Sequence, residues 1–222
     1  MKIENVKACV FDAYGTLFDV NSAAAKCKEK LGGKWEGFAN AWRTTQLEYT
    51  WLRSLMKKHK NFWEITEDSL DHTMETFKIK KEMRNELLDL YKKLSPYPEV
   101  VECLKGLKDK KIKIAILSNG TPDLLRELVE SNNIENYFDD ILSIESVGIY
   151  KPDSRVYEMP IKKYNCKPEN ICFMSSNTWD VSGGGVFGYN AVWVNRFNKV
   201  FDKLSYKPKF VINNLKELLK II

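Results

Sequence analysis

Apolar and polar positions divide the chain into one short strand-like run, a long stretch of helical period, and a second half where the two patterns alternate. Residues 6–11 are almost continuously apolar and stop abruptly at Asp12, as expected for a strand buried on both faces. From about Asp19 to Leu94 the period is helical. Trp42, Tyr49, Leu52 and Met56 share one face of a long helix, with Leu47 and Trp51 beside it at four-residue spacing. Thr66 is the expected N-cap of the next helix. Ile65 and Leu70 are placed as a hydrophobic staple there, and Met74 and Phe77 continue the stripe. Leu87, Leu88, Tyr91 and Leu94 mark a further helix.

Ser95-Pro96-Tyr97-Pro98 reads as a linker, after which strands and helices alternate. A helix over 100–110 starts favourably behind Pro98 and Glu99, and a strand over 112–117 follows. Thr121 caps a helix with Pro122 at its first position. Strands are expected at 141–144, 171–174, 191–194 and 210–212, with a helix over 154–164 and a closing helix over 215–221. Gly183-Gly184-Gly185 is poor helix material, so the helix near 181–187 is expected to be short. Strands separated by helical patterns imply a parallel sheet with right-handed crossovers. The predicted fold is α/β: a Rossmann-like parallel-sheet core, residues 1–18 and 97–222, with an inserted all-α helical cap, residues 19–96.

Composition narrows the function. A hydrophobic content of 44% in 222 residues suffices for a real core. The net charge of +5 is spread along the chain, with Lys57-Lys58-His59-Lys60 its densest cluster. That argues against nucleic acid as a partner and allows a mild preference for small anions. The five cysteines are odd in number and show no CxxC spacing, so neither a disulfide framework nor a zinc site is indicated. No stretch reads as a signal peptide or membrane span, and a cytoplasmic protein with no membrane partner is expected.

The chemistry lies just beyond the predicted strand ends. Asp12 sits on a turn at the carboxyl end of the first strand, where open α/β sheets bind ligands. It is a candidate nucleophile, although an Asp in such a place also serves simply to cap a turn. Three further stretches stand at later turns: Leu117-Ser118-Asn119-Gly120, Tyr150-Lys151-Pro152-Asp153 and Ser175-Ser176-Asn177-Thr178-Trp179-Asp180. Together with the run from Ala8 to Leu17, and in this order, they resemble the haloacid dehalogenase superfamily. In detail they resemble its L-2-haloacid dehalogenase branch, over nearly the whole chain.

That resemblance carries specific expectations. Superfamily phosphatases have a second Asp two places after the nucleophile, to protonate the leaving alcohol. Here the position is Tyr14, and a phenol of pKa ~10 is a poor acid at neutral pH. A halide needs no proton, so dehalogenation tolerates the loss. Ser175-Ser176 replaces the Gly-Asp pair that helps bind magnesium, and hydroxyls are weak ligands for a hard cation. The resemblance therefore implies no metal and no other cofactor. Lys151 is expected beside Asp12, keeping it ionised, with Tyr157 hydrogen-bonding Lys151 or serving as core. Ser175, Asn177 and Asp180 are expected to orient the hydrolytic water. Thr16 and Ser118 offer hydroxyls to the substrate carboxylate and to the nucleophile, or bond their own turns. Arg43 matches the cap arginine that receives the departing halide, with Asn119 donating alongside. Leu47, Phe62 and Trp179 form the apolar wall of the pocket, or are core; Ala13 and Tyr14 complete the substrate-binding set. The implied reaction turns a small L-2-haloacid into a D-2-hydroxy acid and a halide, in a homodimer joined through its cap helices. The alternatives are a phosphatase that has drifted in its motifs and a non-catalytic module binding a small acid or a partner.

Overall fold

The structure, a computed structural model, describes residues 2–222. Its six strands form one parallel sheet: β1 (Ala8–Phe11), β2 (Lys113–Ser118), β3 (Asp140–Ser143), β4 (Ile171–Ser175), β5 (Asn190–Val194) and β6 (Phe210–Ile212). The spatial order is β3-β2-β1-β4-β5-β6. β1 lies centrally and is wholly buried, which is why its sequence is apolar without alternation. The chain winds outward in one direction from β1 through β2 and β3, then restarts at β4 and winds the other way. Ligands bind at such a reversal, beyond the carboxyl ends of the strands. Asp12, one step past β1, stays in the ladder there: its N–H donates to the Met174 carbonyl at 2.9 Å.

Five α-helices intervene between β1 and α6 (Val100–Asp109): α1 (Ser22–Lys26), α2 (Lys28–Leu31), α3 (Trp35–Met56), α4 (Phe62–Phe77) and α5 (Met83–Tyr91). The outgoing and returning chains run side by side. Asp19 N–H donates to Ser95 O, and Tyr97 N–H to Leu17 O, each at 2.9 Å. One apolar core continues from the sheet into these helices, through Phe11, Tyr14, Phe38, Phe62 and Tyr91.

Two expectations in this helical layer need correction. The buried stripe of α3 is Phe38, Ala39, Trp42, Gln46 and Thr50, while Leu52 and Met56 are 50% and 59% exposed. The stripe runs through polar residues because they are satisfied internally: Gln46 Nε2 donates to Thr66 Oγ1 and Tyr91 Oη at 2.7 and 3.0 Å. Second, Asn61, not Thr66, caps α4. Asn61 Oδ1 accepts the Glu64 N–H at 2.9 Å and Glu64 Oε2 accepts the Asn61 N–H at 3.2 Å, a reciprocal capping box. Thr66 lies a turn inside the helix and donates to the Phe62 carbonyl at 2.7 Å.

The remaining helices are α7 (Pro122–Ser131), α8 (Ser154–Tyr164), α9 (Thr178–Phe187) and α10 (Leu218–Ile221). The expected closing helix is split, since Leu215–Glu217 forms a 3-10 turn before α10. α9 is longer than its glycines suggested. Those glycines permit close approach: a Cβ on Gly183 would lie 2.5 Å from Tyr157 Oη, and one on Gly184 2.8 Å from Phe173 Cδ1. Among the described residues no helix is long and apolar enough to cross a membrane.

Gly183→Ala tests this packing. Alanine is favoured over glycine by ~1 kcal/mol inside a helix, yet the added methyl has nowhere to go. Urea unfolding is expected to show a net loss of about 1–3 kcal/mol, whereas Gly33→Ala, with nothing within 4 Å of the new methyl, is expected to be near neutral. A Gly183→Ala protein as stable as the parent would contradict the packing.

Candidate active site

Asp12 is buried, and its two oxygens are treated differently. Oδ2 accepts from Thr16 Oγ1 at 3.0 Å, Ser175 Oγ at 3.3 Å and Asn177 Nδ2 at 2.7 Å. Oδ1 accepts from Lys151 Nζ alone among the described residues, at 3.2 Å. The hydroxyl protons are aimed by backbone donors behind them. Thr16 Oγ1 accepts the Ser176 N–H at 2.8 Å and Ser175 Oγ accepts the Asn177 N–H at 3.1 Å, leaving each proton for Asp12. These donors come from the turn after β1, the end of β4 and the start of α9. The turn is compact because the Ala13 carbonyl accepts N–H bonds from Leu17 and Phe18 at 2.9 and 3.0 Å, and Gly15 takes φ +88°.

Lys151, 1% exposed, bridges two carboxylates: Asp12, and Asp180 Oδ2 at 2.9 Å. Tyr157 Oη donates to Asp180 Oδ1 at 2.7 Å. Burial disfavours charge on Lys151, but Asp180 and Asp12 outweigh it and hold the ammonium above the ordinary lysine range. Burial pushes Asp180 up to about 6; Lys151 opposes that rise and the Asp12 charge adds to it. Burial, reinforced by Asp180, holds the Tyr157 hydroxyl well above its usual value, so it remains a donor at neutral pH.

Helices close the other side. The Tyr14 ring packs on Phe62 at 5.1 Å and on Tyr91 at 5.8 Å between centroids. Its buried hydroxyl has no partner among the described residues, and burial raises it well above the usual phenol range. Arg43, half-buried on α3, donates from Nη1 to Gln46 Oε1 at 2.9 Å and from Nη2 to the Tyr14 carbonyl at 3.4 Å. The guanidinium thus reaches the turn that follows Asp12.

A family profile described as haloacid dehalogenase-like hydrolase matches residues 6–188. The chain belongs to this family of hydrolases. Among similar relatives, (S)-2-haloacid dehalogenase 1 of Pseudomonas sp. (strain CBS-3) is 40% identical, over 99% of this chain and 98% of its own. Haloacetate dehalogenase H-2 of Moraxella sp. (strain B) is 35% identical over 99% of both chains. Among solved structures, the L-2-haloacid dehalogenase of Xanthobacter autotrophicus with chloropropionic acid covalently bound has a TM-score of 0.90. It is 32% identical, with 97% of each chain covered.

Within this hydrolase, Asp12, Thr16, Lys151, Ser175, Asn177, Asp180 and Tyr157 form one connected hydrogen-bond network, and Arg43 reaches it through the Tyr14 carbonyl. The predicted residues make specific contacts. Tyr157 is buried in the core, one of its two expected placements, and bonds Asp180 in place of Lys151. Ser175 and Asn177 both donate to Asp12 Oδ2. Ser118 Oγ accepts the Gly120 N–H at 3.1 Å, the own-turn bond that is one of the two roles expected of it. Trp179 stands edge-on to Trp51 at 5.5 Å and lines a cavity of about 530 Å³ with Pro152, Tyr157 and Phe187. Phe62, by contrast, packs on Tyr14, and Leu47 is half-buried on α3. Asn119 Oδ1 accepts the Lys151 N–H at 3.2 Å, which anchors the lysine's backbone.

Sequence reasoning misses two contributors. Gln46, a polar residue inside a helix stripe, gives no outward sign of joining Arg43 to Thr66 and Tyr91. Arg196, just past β5, occupies the same kind of strand-end position as the motifs and could have been found by that rule.

Lys151→Met would leave two buried carboxylates without their cation, at an expected cost of about 3–5 kcal/mol. The loss should grow with pH. Asp180 already binds its proton more tightly folded than unfolded, so its stabilising contribution is complete below the unfolded value and fades as pH rises through about 6. Without the ammonium, which opposes its rise, the Asp180 carboxyl shifts further up and the fade steepens. Urea unfolding at pH 5 and pH 8 should show a larger deficit at pH 8; equal deficits would contradict the shared cation.

Proposed function

We propose that the enzyme hydrolyses the carbon–halogen bond of short L-2-haloalkanoic acids, with Asp12 as covalent nucleophile and inversion at C2. The observation that carries this reading is the asymmetry of Asp12. Three donors occupy Oδ2, while Oδ1 meets only the Lys151 ammonium among the described residues. Oδ1 therefore retains a lone pair for attack, beside the Lys151 ammonium that pairs with the carboxylate.

Attack by Oδ1 at C2 forms the C2–O bond as the carbon–halogen bond breaks, and the halide leaves with the bonding electrons. Arg43 and the Asn119 amide receive that anion. Tyr14, packed and raised, offers no proton, and a departing halide requires none. In the resulting ester Oδ2 is the carbonyl oxygen. When water adds to the Asp12 carbonyl carbon, negative charge develops on Oδ2, where Thr16, Ser175 and Asn177 already donate. Asp180, linked to Asp12 through Lys151, accepts the proton of that water; a base near pKa 6 suits neutral pH. As the adduct collapses, the bond from the Asp12 carbonyl carbon to Oδ1 breaks. The proton taken by Asp180 returns to that oxygen by way of Lys151, and the D-2-hydroxy acid departs carrying the former Oδ1.

Lys151 supplies the positive charge between Asp12 and Asp180, and we read the reaction as metal-independent. Residues 19–96 are read as a cap and 1–18 with 97–222 as the core, supported by the paired crossings at Leu17–Tyr97 and Asp19–Ser95. Exposed Leu52, Leu55 and Met56 on α3 favour a homodimer joined through that cap. The expected compartment is the cytoplasm.

Enantiomer-resolved halide release tests the function directly. (S)-2-Chloropropionate should yield chloride and D-lactate, the (R) enantiomer should be inert, and EDTA should leave the rate unchanged. Hydrolysis of a generic phosphate ester dependent on magnesium, without halide release, would overturn it.

A further inference from the structure

Arg196 follows the last residues of β5 on a turn that Asn195 fixes. Asn195 Oδ1 accepts the Lys199 N–H at 2.8 Å, and its Nδ2 donates to the Lys199 carbonyl at 3.0 Å. From there the guanidinium enters the protein and joins three chain segments. Nε and Nη2 lie 2.9 and 2.7 Å from Glu99 Oε1. Nη2 donates to the Thr16 carbonyl at 2.8 Å and Nη1 to the Gly15 carbonyl at 3.4 Å. The group lies over the Tyr97 ring, 3.9 Å from its centroid. The side chains of Arg196 and Glu99 are only 8% and 11% exposed.

A buried ion pair of this kind contributes little net stability compared with apolar residues of similar size, because desolvation offsets the attraction. Its geometry is the informative part. A guanidinium is a rigid planar fork that can hold a carboxylate and two carbonyls at once, which an ammonium cannot. Here those carbonyls belong to Gly15 and Thr16, the turn that bears the Thr16 hydroxyl. Arg196 holds this turn by its carbonyls, and the Ser176 N–H holds Thr16 Oγ1 so that its proton meets Asp12 Oδ2. Glu99 and Tyr97 lie where the chain returns from the helical layer, so the same arginine ties the returning linker to the nucleophile turn.

We propose that Arg196, oriented by Glu99 and stacked on Tyr97, is a positioning residue that holds the Gly15–Thr16 turn so that the Thr16 hydroxyl stays aimed at Asp12. The kinetic consequence rests on the dehalogenase reading above; the mechanical one does not. Holding the turn matters because small displacements of an aligned group slow a reaction severely without weakening substrate binding to match.

Arg196→Lys is the informative change, since it keeps the charge facing Glu99 but cannot span both carbonyls and the ring. Halide release from (S)-2-chloropropionate should fall in kcat by about tenfold or more with KM changed less than about threefold. Combined with Thr16→Val, the lysine variant should be hardly slower than Thr16→Val alone, because both remove the same aimed hydroxyl. Fully additive losses would overturn the proposal. Amide hydrogen exchange gives an arm independent of activity. Residues 13–18 should exchange faster in Arg196→Lys while β1 stays protected, and unchanged exchange in the turn would also overturn it. A parent enzyme releasing no halide would defeat the dehalogenase reading, leaving the exchange arm to decide whether Arg196 holds the turn.

Discussion

Two carboxylates, Asp12 and Asp180, are buried in one pocket and share a single ammonium, that of Lys151. Placing such charges out of water is costly unless each is paired and hydrogen-bonded. The site meets that condition with donors only: three on Asp12 Oδ2, Tyr157 on Asp180, and Lys151 between the two. One carboxylate oxygen is left with a single partner among the described residues. The electrostatics that make the pocket tolerable thus also expose the oxygen proposed to attack carbon.

Topology brings these groups together. β1 and β4 are neighbours where the winding of the sheet reverses, so the turn after β1 and the end of β4 deliver Asp12, Thr16, Ser175 and Asn177 to one point. Lys151 comes from the loop before α8, with its backbone anchored on Asn119. The helical layer packs Phe62 and Tyr91 on Tyr14 of the turn after β1, and adds a cation, Arg43, fastened to that turn. A substrate with a small apolar group and an anionic leaving atom suits such surroundings, aromatic rings beside a cation.

Most of this site was legible because its residues sit at strand ends in stretches with distinctive spacing. Asp12, Thr16, Lys151, Asn177 and Asp180 could be placed together without coordinates. What escaped the sequence did so for physical reasons. The buried face of α3 runs through Gln46 and Thr50, whose polarity is satisfied only by partners on α4 and α5, so a hydrophobic stripe pointed to Leu52 and Met56. The cap of α4 is Asn61, which a Thr five residues later obscured. The glycines of α9 look like helix breakers until the Tyr157 and Phe173 rings are seen against them. Arg196 stands at a strand end as the motifs do, but nothing near it in the chain announces its partner Glu99, nearly a hundred residues earlier.

The central claim is that Asp12 itself bonds to carbon. Water activated by Asp12 would give the same hydroxy acid, but the new oxygen would come from a different source. In the covalent route the oxygen delivered to the product already belonged to Asp12, and water replaces it on the carboxylate. A single turnover in oxygen-18 water, with enzyme in excess over (S)-2-chloropropionate, is therefore predicted to give unlabelled lactate and one heavy oxygen in the peptide containing Asp12. Labelled lactate in that first turnover, with the Asp12 peptide unlabelled, would contradict the account.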